Sequence, residues 1–151
     1  MPIISEADQQ HIRGLFETNL VGDVEILMFT ERKSPLIIPG KQECETCDDT
    51  RALLEEVTAL SDKLTLAVRD IAEAREEAAE HGISGVPAFV VKGASRGKVR
   101  FFGIPSGYEF SAFVDDLVDA SKGTTTLSAN TRDFLASLTE DVNIKVFTTP
   151  T

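Results

Sequence analysis

Tryptophan is absent from this chain, tyrosine occurs once, and cysteine, methionine and histidine occur twice each. Nine phenylalanines are nearly the whole aromatic complement, and none is interleaved with a basic patch of the kind that stacks on and neutralises nucleic acid. Basic residues are scarce as well: 15 Lys and Arg stand against 25 Asp and Glu, a net charge of −10. That summed field repels phosphate backbones and anionic lipid headgroups, so neither nucleic acid nor a membrane surface is expected as a partner. No apolar run approaches the roughly 20 residues that a spanning helix needs. The opening "MPIISEADQQ" also lacks the charged-then-apolar layout of a signal peptide, which makes a cytoplasmic protein the expectation. At 151 residues and 42% hydrophobic, the chain can bury one ordinary core and is short for two domains of average size.

What is present begins with the two cysteines, Cys44 and Cys47, set as "CETC". In a reducing compartment this spacing points to redox chemistry or metal binding more than to a structural staple. Zinc takes about four ligands. His11 and His81 are the histidines available to complete a set within the chain, and sharing a metal between two chains is the other route. His11 falls beside the apolar stripe of the first helix and reads as structural or solvated, so no metal is expected.

Periodicity orders the rest. Ser5 and Asp8 resemble a capping box, and Ile12, Leu15, Phe16 and Leu20 behind them predict an amphipathic helix over residues 6–20. "VEILMFT" (24–30) is a strand buried on both faces, and residues 31–43, with Pro35, Pro39 and Gly40, form a loop. Leu53, Leu54, Val57 and Leu60 mark a helix ending near Ser61. "LTLAV" (64–68) is a second strand, and residues 73–82 are a helix closed by Gly82. "AFVVK" and "KVRFFGI" make a hairpin around "GASRG", and Ser106 with Glu109 predicts a capping box for a last helix that ends before Gly123. Strand–helix–strand implies a right-handed parallel crossover, and the hairpin adds an antiparallel edge. The fold class is therefore α/β, a mixed central sheet flanked by helices. "CETC" falls where the first strand hands over to its helix, whose N-terminal partial charge stabilises a thiolate. One repeat stands out: "DVNIKVFT" (141–148) matches "DVEILMFT" (23–30) at five of eight positions, with Val146 in place of Met28.

The element order, the Cys-x-x-Cys at the first strand-to-helix turn and "GVPAF" (85–89) resemble the thioredoxin fold. "FFGIPSGYEFSAFVDDLVD" (101–119) and the leading helix narrow the resemblance to the two-unit, glutaredoxin-like protein disulfide oxidoreductases of archaea and thermophilic bacteria. It covers residues 5–122 as one unit, and 128–148 match the opening helix and first strand of a second. The resemblance implies residues 1–123 as a thioredoxin-like redox unit and 124–151 as an incomplete second unit, a C-terminal helix-strand extension. It also implies a gene product continuing past Thr151, cut short or carrying a selenocysteine codon misread as a stop. Residues 142–148 are then expected to add to a sheet edge, in their own chain or in a homodimer, with Phe134, Leu135 and Leu138 packed nearby.

Disulfide exchange at a helix N-terminus assigns Cys44 as the attacking thiolate and Cys47 as the resolving one. By resemblance, Pro87 is a cis-proline facing the cysteines, and Val86 offers backbone groups to an extended substrate. The chain also departs from the pattern. Residues 31–43 lengthen the link to the cysteines and place Leu36, Ile37 and Ile38 beside them, as local packing or as a lid. Met28 stands where thioredoxins keep a buried acid. Glu43, Glu45, Asp48 and Asp49 oppose a thiolate by like-charge repulsion, which points to a mild reductant or isomerase-like centre, or else form a plain solvated helix start. The expected function is a thiol–disulfide oxidoreductase acting on protein disulfides without a bound cofactor. The resemblance supplies a thioredoxin-reductase-like flavoprotein as its electron donor. The alternative is a binding or scaffold module with an idle or metal-holding pair, similar in architecture to the N-terminal domain of the alkyl hydroperoxide reductase flavoprotein.

Overall fold

The structure is a computed structural model that describes residues 2–32 and 43–148; Leu36, Ile37 and Ile38 lie outside the described residues. The leading helix α1 (Glu6–Asn19) starts where Ser5 Oγ accepts the Asp8 N–H at 3.2 Å and donates to the Asp8 carboxylate at 2.6 Å. Its stripe buries Ile12 and Phe16, with Leu20 just behind. Ahead of it, the carboxylate of Glu56 accepts the backbone N–H groups of Ile3 and Ile4 at 2.7 and 2.9 Å. Two donors that precede the helix are thereby satisfied by one charged acceptor.

Strand β1 (Val24–Thr30) carries the apolar run and lies inside the sheet. It pairs in parallel with β2 (Leu64–Asp70) and antiparallel with β3 (Ala88–Lys92), while β4 (Val99–Phe102) closes the other edge against β3. The sheet order is β2-β1-β3-β4, the mixed sheet expected of a thioredoxin-like fold. Side-chain alternation along β1 and β3 divides the interior in two. On one face Ile26, Met28, Phe89 and Val91 meet α1, α2 (Cys47–Thr58) and α4 (Tyr108–Lys122). On the other, Leu27, Phe29, Ala88 and Val90 are covered by Ala78 of α3 (Arg75–Glu80) and by Ile83. The larger side centres on Phe113, fully buried, with the Phe89 and Phe101 rings edge-on to it at 5.2 and 5.4 Å.

Gly82 closes α3 as its pattern predicts. It adopts φ +67° and donates to Ala79 O, while Ile83 N–H reaches back to Ala78 O, the paired bonds of a Schellman motif. The hairpin turn lies on α4: a Cβ at Gly93 would meet the Ala120 carbonyl oxygen at 2.5 Å, so only glycine fits there.

Three expectations need correction. First, α3 begins at Arg75, later than residue 73, because Asp70 takes the intervening donors. Its Oδ1 accepts Ala72 N–H, and its carbonyl accepts those of Glu73 and Ala74. Second, the Ser106–Glu109 capping box does not form. Gly107, at φ +57°, is the residue before α4, and Glu109 N–H bonds to the Ser106 carbonyl instead of its hydroxyl. Third, a helix does form in the C-terminal extension, α5 (Ala129–Ala136), capped by Ser128 Oγ, but 142–148 add no strand to their own chain's described sheet, which leaves pairing with a second copy as the expectation. Every described residue from Lys122 to Thr148 is exposed, including Phe134 at 65% and Phe147 at 90%. A strand exists through its ladder partners, and this segment has none among the described residues.

Candidate active site at the Cys44–Cys47 pair

Helix α2 sets the geometry. Its buried stripe runs Cys47, Thr50, Leu54, Val57, at steps of three, four and three, so the second cysteine belongs to the core-facing side. Cys47 is 2% exposed, whereas Cys44, ahead of the helix, is only half-buried. Their sulfurs are bonded at 2.04 Å. Among the described residues, Cys44 is the side of this pair open to an incoming group.

The first turn of α2 is held in a way the sequence did not announce. Thr46, the residue before the helix, makes no side-chain cap. Its carbonyl instead accepts both the Thr50 N–H at 2.9 Å and the Thr50 hydroxyl at 2.7 Å. Thr50 is fully buried, so its hydroxyl needs that partner. The legible signal was a hydroxyl residue on the apolar stripe, three positions after Cys47.

The Val86–Pro87 bond is cis and Pro87 is buried, its carbonyl accepting Gly103 N–H at 2.8 Å. Val86 and Pro87 line the same hollow as Cys44, about 580 Å³, together with Glu43, Glu45 and Thr46. The four candidate residues therefore do not scatter: three border one recess, and Cys47 lies beneath Cys44 as its sulfur partner. Among the described residues the backbone N–H and C=O of Val86 take part in no hydrogen bond. Glu43, Glu45, Asp48 and Asp49 are all exposed. Met28 is fully buried in the larger core, an apolar side chain at the position where a proton-accepting acid was sought.

The histidines that a zinc site would need are elsewhere. His11 is exposed on α1. His81 ends α3 on the opposite face of the sheet from α2, its ring tilted against Phe29 at 6.5 Å. Burial, and then Lys92 and Lys98, hold its pKa below the ordinary histidine value. At the base of the chain leading towards the cysteines, Asp70 Oδ2 accepts Arg32 N–H at 3.0 Å. That bond, helped by the N–H groups of Ala72 and Glu73, keeps the Asp70 carboxyl below the usual carboxylate range despite partial burial.

Comparison with known proteins agrees with this geometry. The thioredoxin domain family matches residues 36–115. A protein disulfide oxidoreductase from Aeropyrum pernix is similar in structure at 26% identity and a TM-score of 0.72, covering 89% of this chain and 55% of its own. The alkylhydroperoxide reductase AhpF of Enterococcus faecalis is similar in fold at 23% identity and a TM-score of 0.73, with 89% and 61% covered. The chain thus spans about three fifths or less of the length of these structures. No curated protein matches the chain, and no helix among the described residues is long and apolar enough to cross a membrane.

Proposed function

We propose, from the premise that this chain belongs to the thioredoxin-domain family, that it is a thiol–disulfide oxidoreductase acting on protein disulfides in a reducing compartment such as the cytoplasm. The observation that carries the proposal is the asymmetry of the pair: a reachable Cys44 over a buried Cys47, at the start of a helix and beside the Val86–Pro87 recess. In the reduced protein, the Cys44 thiolate attacks one sulfur of a substrate disulfide. A mixed disulfide forms, and the other substrate sulfur leaves as a thiolate that takes up a proton. The Cys47 thiolate then attacks Cys44 Sγ, releasing the second substrate thiol and leaving the Cys44–Cys47 disulfide. Two electrons have passed from protein to substrate. A two-electron donor returns the pair to dithiol, and a flavoprotein of the thioredoxin-reductase type fits that role.

Thr50 is a positioning residue in this scheme, since it holds the turn that carries Cys47. Val86, whose backbone groups are unpaired among the described residues, supplies them to an extended substrate chain next to the sulfurs. Residues 1–123 act as the redox unit. Residues 124–151 form the start of a second unit, whose apolar segment 142–148, unpaired among the described residues, becomes a strand on pairing with a sheet edge of a second copy.

The test is insulin reduction with trapping. The reduced chain should reduce insulin, and Cys44→Ala should abolish it. Cys47→Ala should accumulate a mixed disulfide through Cys44, and Cys44→Ala should accumulate none. Trapping through Cys47 alone, or tight zinc binding by the reduced pair, would overturn the assignment.

A further inference from the structure

Of the six described residues that border the recess at Cys44, two are carboxylates, Glu43 and Glu45, and none is cationic. Both are exposed and flank the reachable cysteine in sequence, one on each side. The described cations nearest in sequence are already engaged: Arg51 with Glu55 at 2.7 Å, and Arg32 with Glu73 at 2.9 Å. Asp49 adds an exposed carboxylate in the first turn of α2. The other described borders besides Cys44, namely Thr46, Val86 and Pro87, carry no charge. A disulfide reaching Cys44 therefore enters past two negative charges.

We infer that this site, on the reading of it as a disulfide reductase, selects substrates by charge: it favours disulfides flanked by lysine or arginine and disfavours anionic disulfides such as oxidised glutathione. Glu43 and Glu45 are the specificity-determining residues. Their influence is a matter of approach and not of bonding. Charges about 7–10 Å apart in a watery cleft interact weakly one pair at a time. Two carboxylates acting on a doubly charged disulfide make four such pairs, and these sum to roughly a tenfold change in rate at low salt. Between a dication and a dianion the effects oppose, so the ratio of their rates spans roughly a hundredfold. Screening over about 3 Å at 1 M salt removes most of it.

The experiment uses the full reduced chain and three small disulfides: cystamine as the cation, 2-hydroxyethyl disulfide as the neutral probe and oxidised glutathione as the anion. Formation of the Cys44–Cys47 disulfide is followed by quenching and mass spectrometry, at low salt and at 1 M. The decisive quantity is the cystamine-to-glutathione rate ratio, compared between proteins. Intrinsic differences between probes cancel in that comparison, as does any effect of the carboxylates on the nucleophile itself. In Glu43→Gln/Glu45→Gln the ratio should fall about tenfold or more, and 1 M salt should lower it similarly in the native chain. Glu43→Lys/Glu45→Lys should lower it further. A ratio unmoved by both substitution and salt would overturn the charge selection while leaving the oxidoreductase intact. Failure of the reduced chain to react with the neutral probe would overturn the oxidoreductase reading itself, and the inference with it.

Discussion

Phe113 and Phe134 are the same residue in opposite circumstances, and truncating each to alanine tests where the folded body ends. Phe113 is fully buried at the centre of the larger core, with two phenylalanine rings edge-on to it at 5.2 and 5.4 Å. Removing a buried ring costs about 3–5 kcal/mol through lost transfer energy and the cavity left behind. Edge-on aromatic pairs contribute about 0.5–1.5 kcal/mol each to such totals, which places Phe113→Ala at about 4 kcal/mol or more. With a urea dependence of about 2 kcal/mol/M, the unfolding midpoint should fall by about 2 M. Phe134 on α5 is 65% exposed, so Phe134→Ala should stay within about 0.5 kcal/mol, since exposed substitutions rarely exceed that. Circular dichroism in urea, repeated over a range of protein concentrations, gives both values. A Phe113→Ala shift below about 0.5 M would refute the packing described for α4. A Phe134→Ala shift above about 1 M would refute the boundary near Gly123, and its concentration dependence would tell whether α5 packs on its own chain or on another.

Three further outcomes are expected. Gly93→Ala drives a Cβ against the Ala120 carbonyl and should destabilise by about 1–3 kcal/mol, while Gly97→Ala, with open space around it, should be nearly neutral in the same urea titration. Glu56→Gln removes the charge from the acceptor of the Ile3 and Ile4 N–H groups; it should cost about 1 kcal/mol and expose the N-terminus to an aminopeptidase, and unchanged trimming would show that the clamp does not hold. The His81 pKa is held down in the folded chain, from 6.5. The unfolded chain therefore binds the extra proton first, and stability present above pH 6.5 should decline as pH falls towards the folded value. His81→Phe should flatten that part of the curve, and an identical slope in both proteins would assign the decline to other groups.

Much of the architecture could be read from local pattern because local pattern was also the physical cause. "VEILMFT" is apolar throughout since β1 has neighbours on both sides and layers on both faces. Gly82 stops α3 because the bonds that end a helix need a positive φ there. The site was legible for a similar reason: Cys47 continues the spacing of Leu54 and Val57, and Cys44 does not. What escaped depended on choices that spacing cannot encode. Ser106 and Glu109 have the right types for a capping box, yet the left-handed Gly107 between them turns the Ser106 carbonyl, not its hydroxyl, towards the helix. The start of α3 was decided by one residue, Asp70, whose carboxylate takes the Ala72 N–H and whose carbonyl takes those of Glu73 and Ala74. The "DVNIKVFT" repeat carries the composition of β1 without its partners, and composition cannot supply a ladder.

The two faces of the sheet are unequally covered, and this has a consequence for how the protein breathes. Three helices bury one face, whereas among the described residues the six-residue α3 is the one helix on the other, where Ala78 and the following Ile83 are the buried anchors. Segments with few buried contacts open at a fraction of the global free energy. Amide exchange should therefore be fastest along 124–148, intermediate in α3, and slowest at Ile26–Met28 and Phe89–Val91, where two strands flank each backbone. Helix α2 belongs to the well-covered side. The transient fraying of this fold is thus directed away from the sulfurs, so a Cys47 left alone in its thiol form would stay shielded from oxidants even while the far layer lifts.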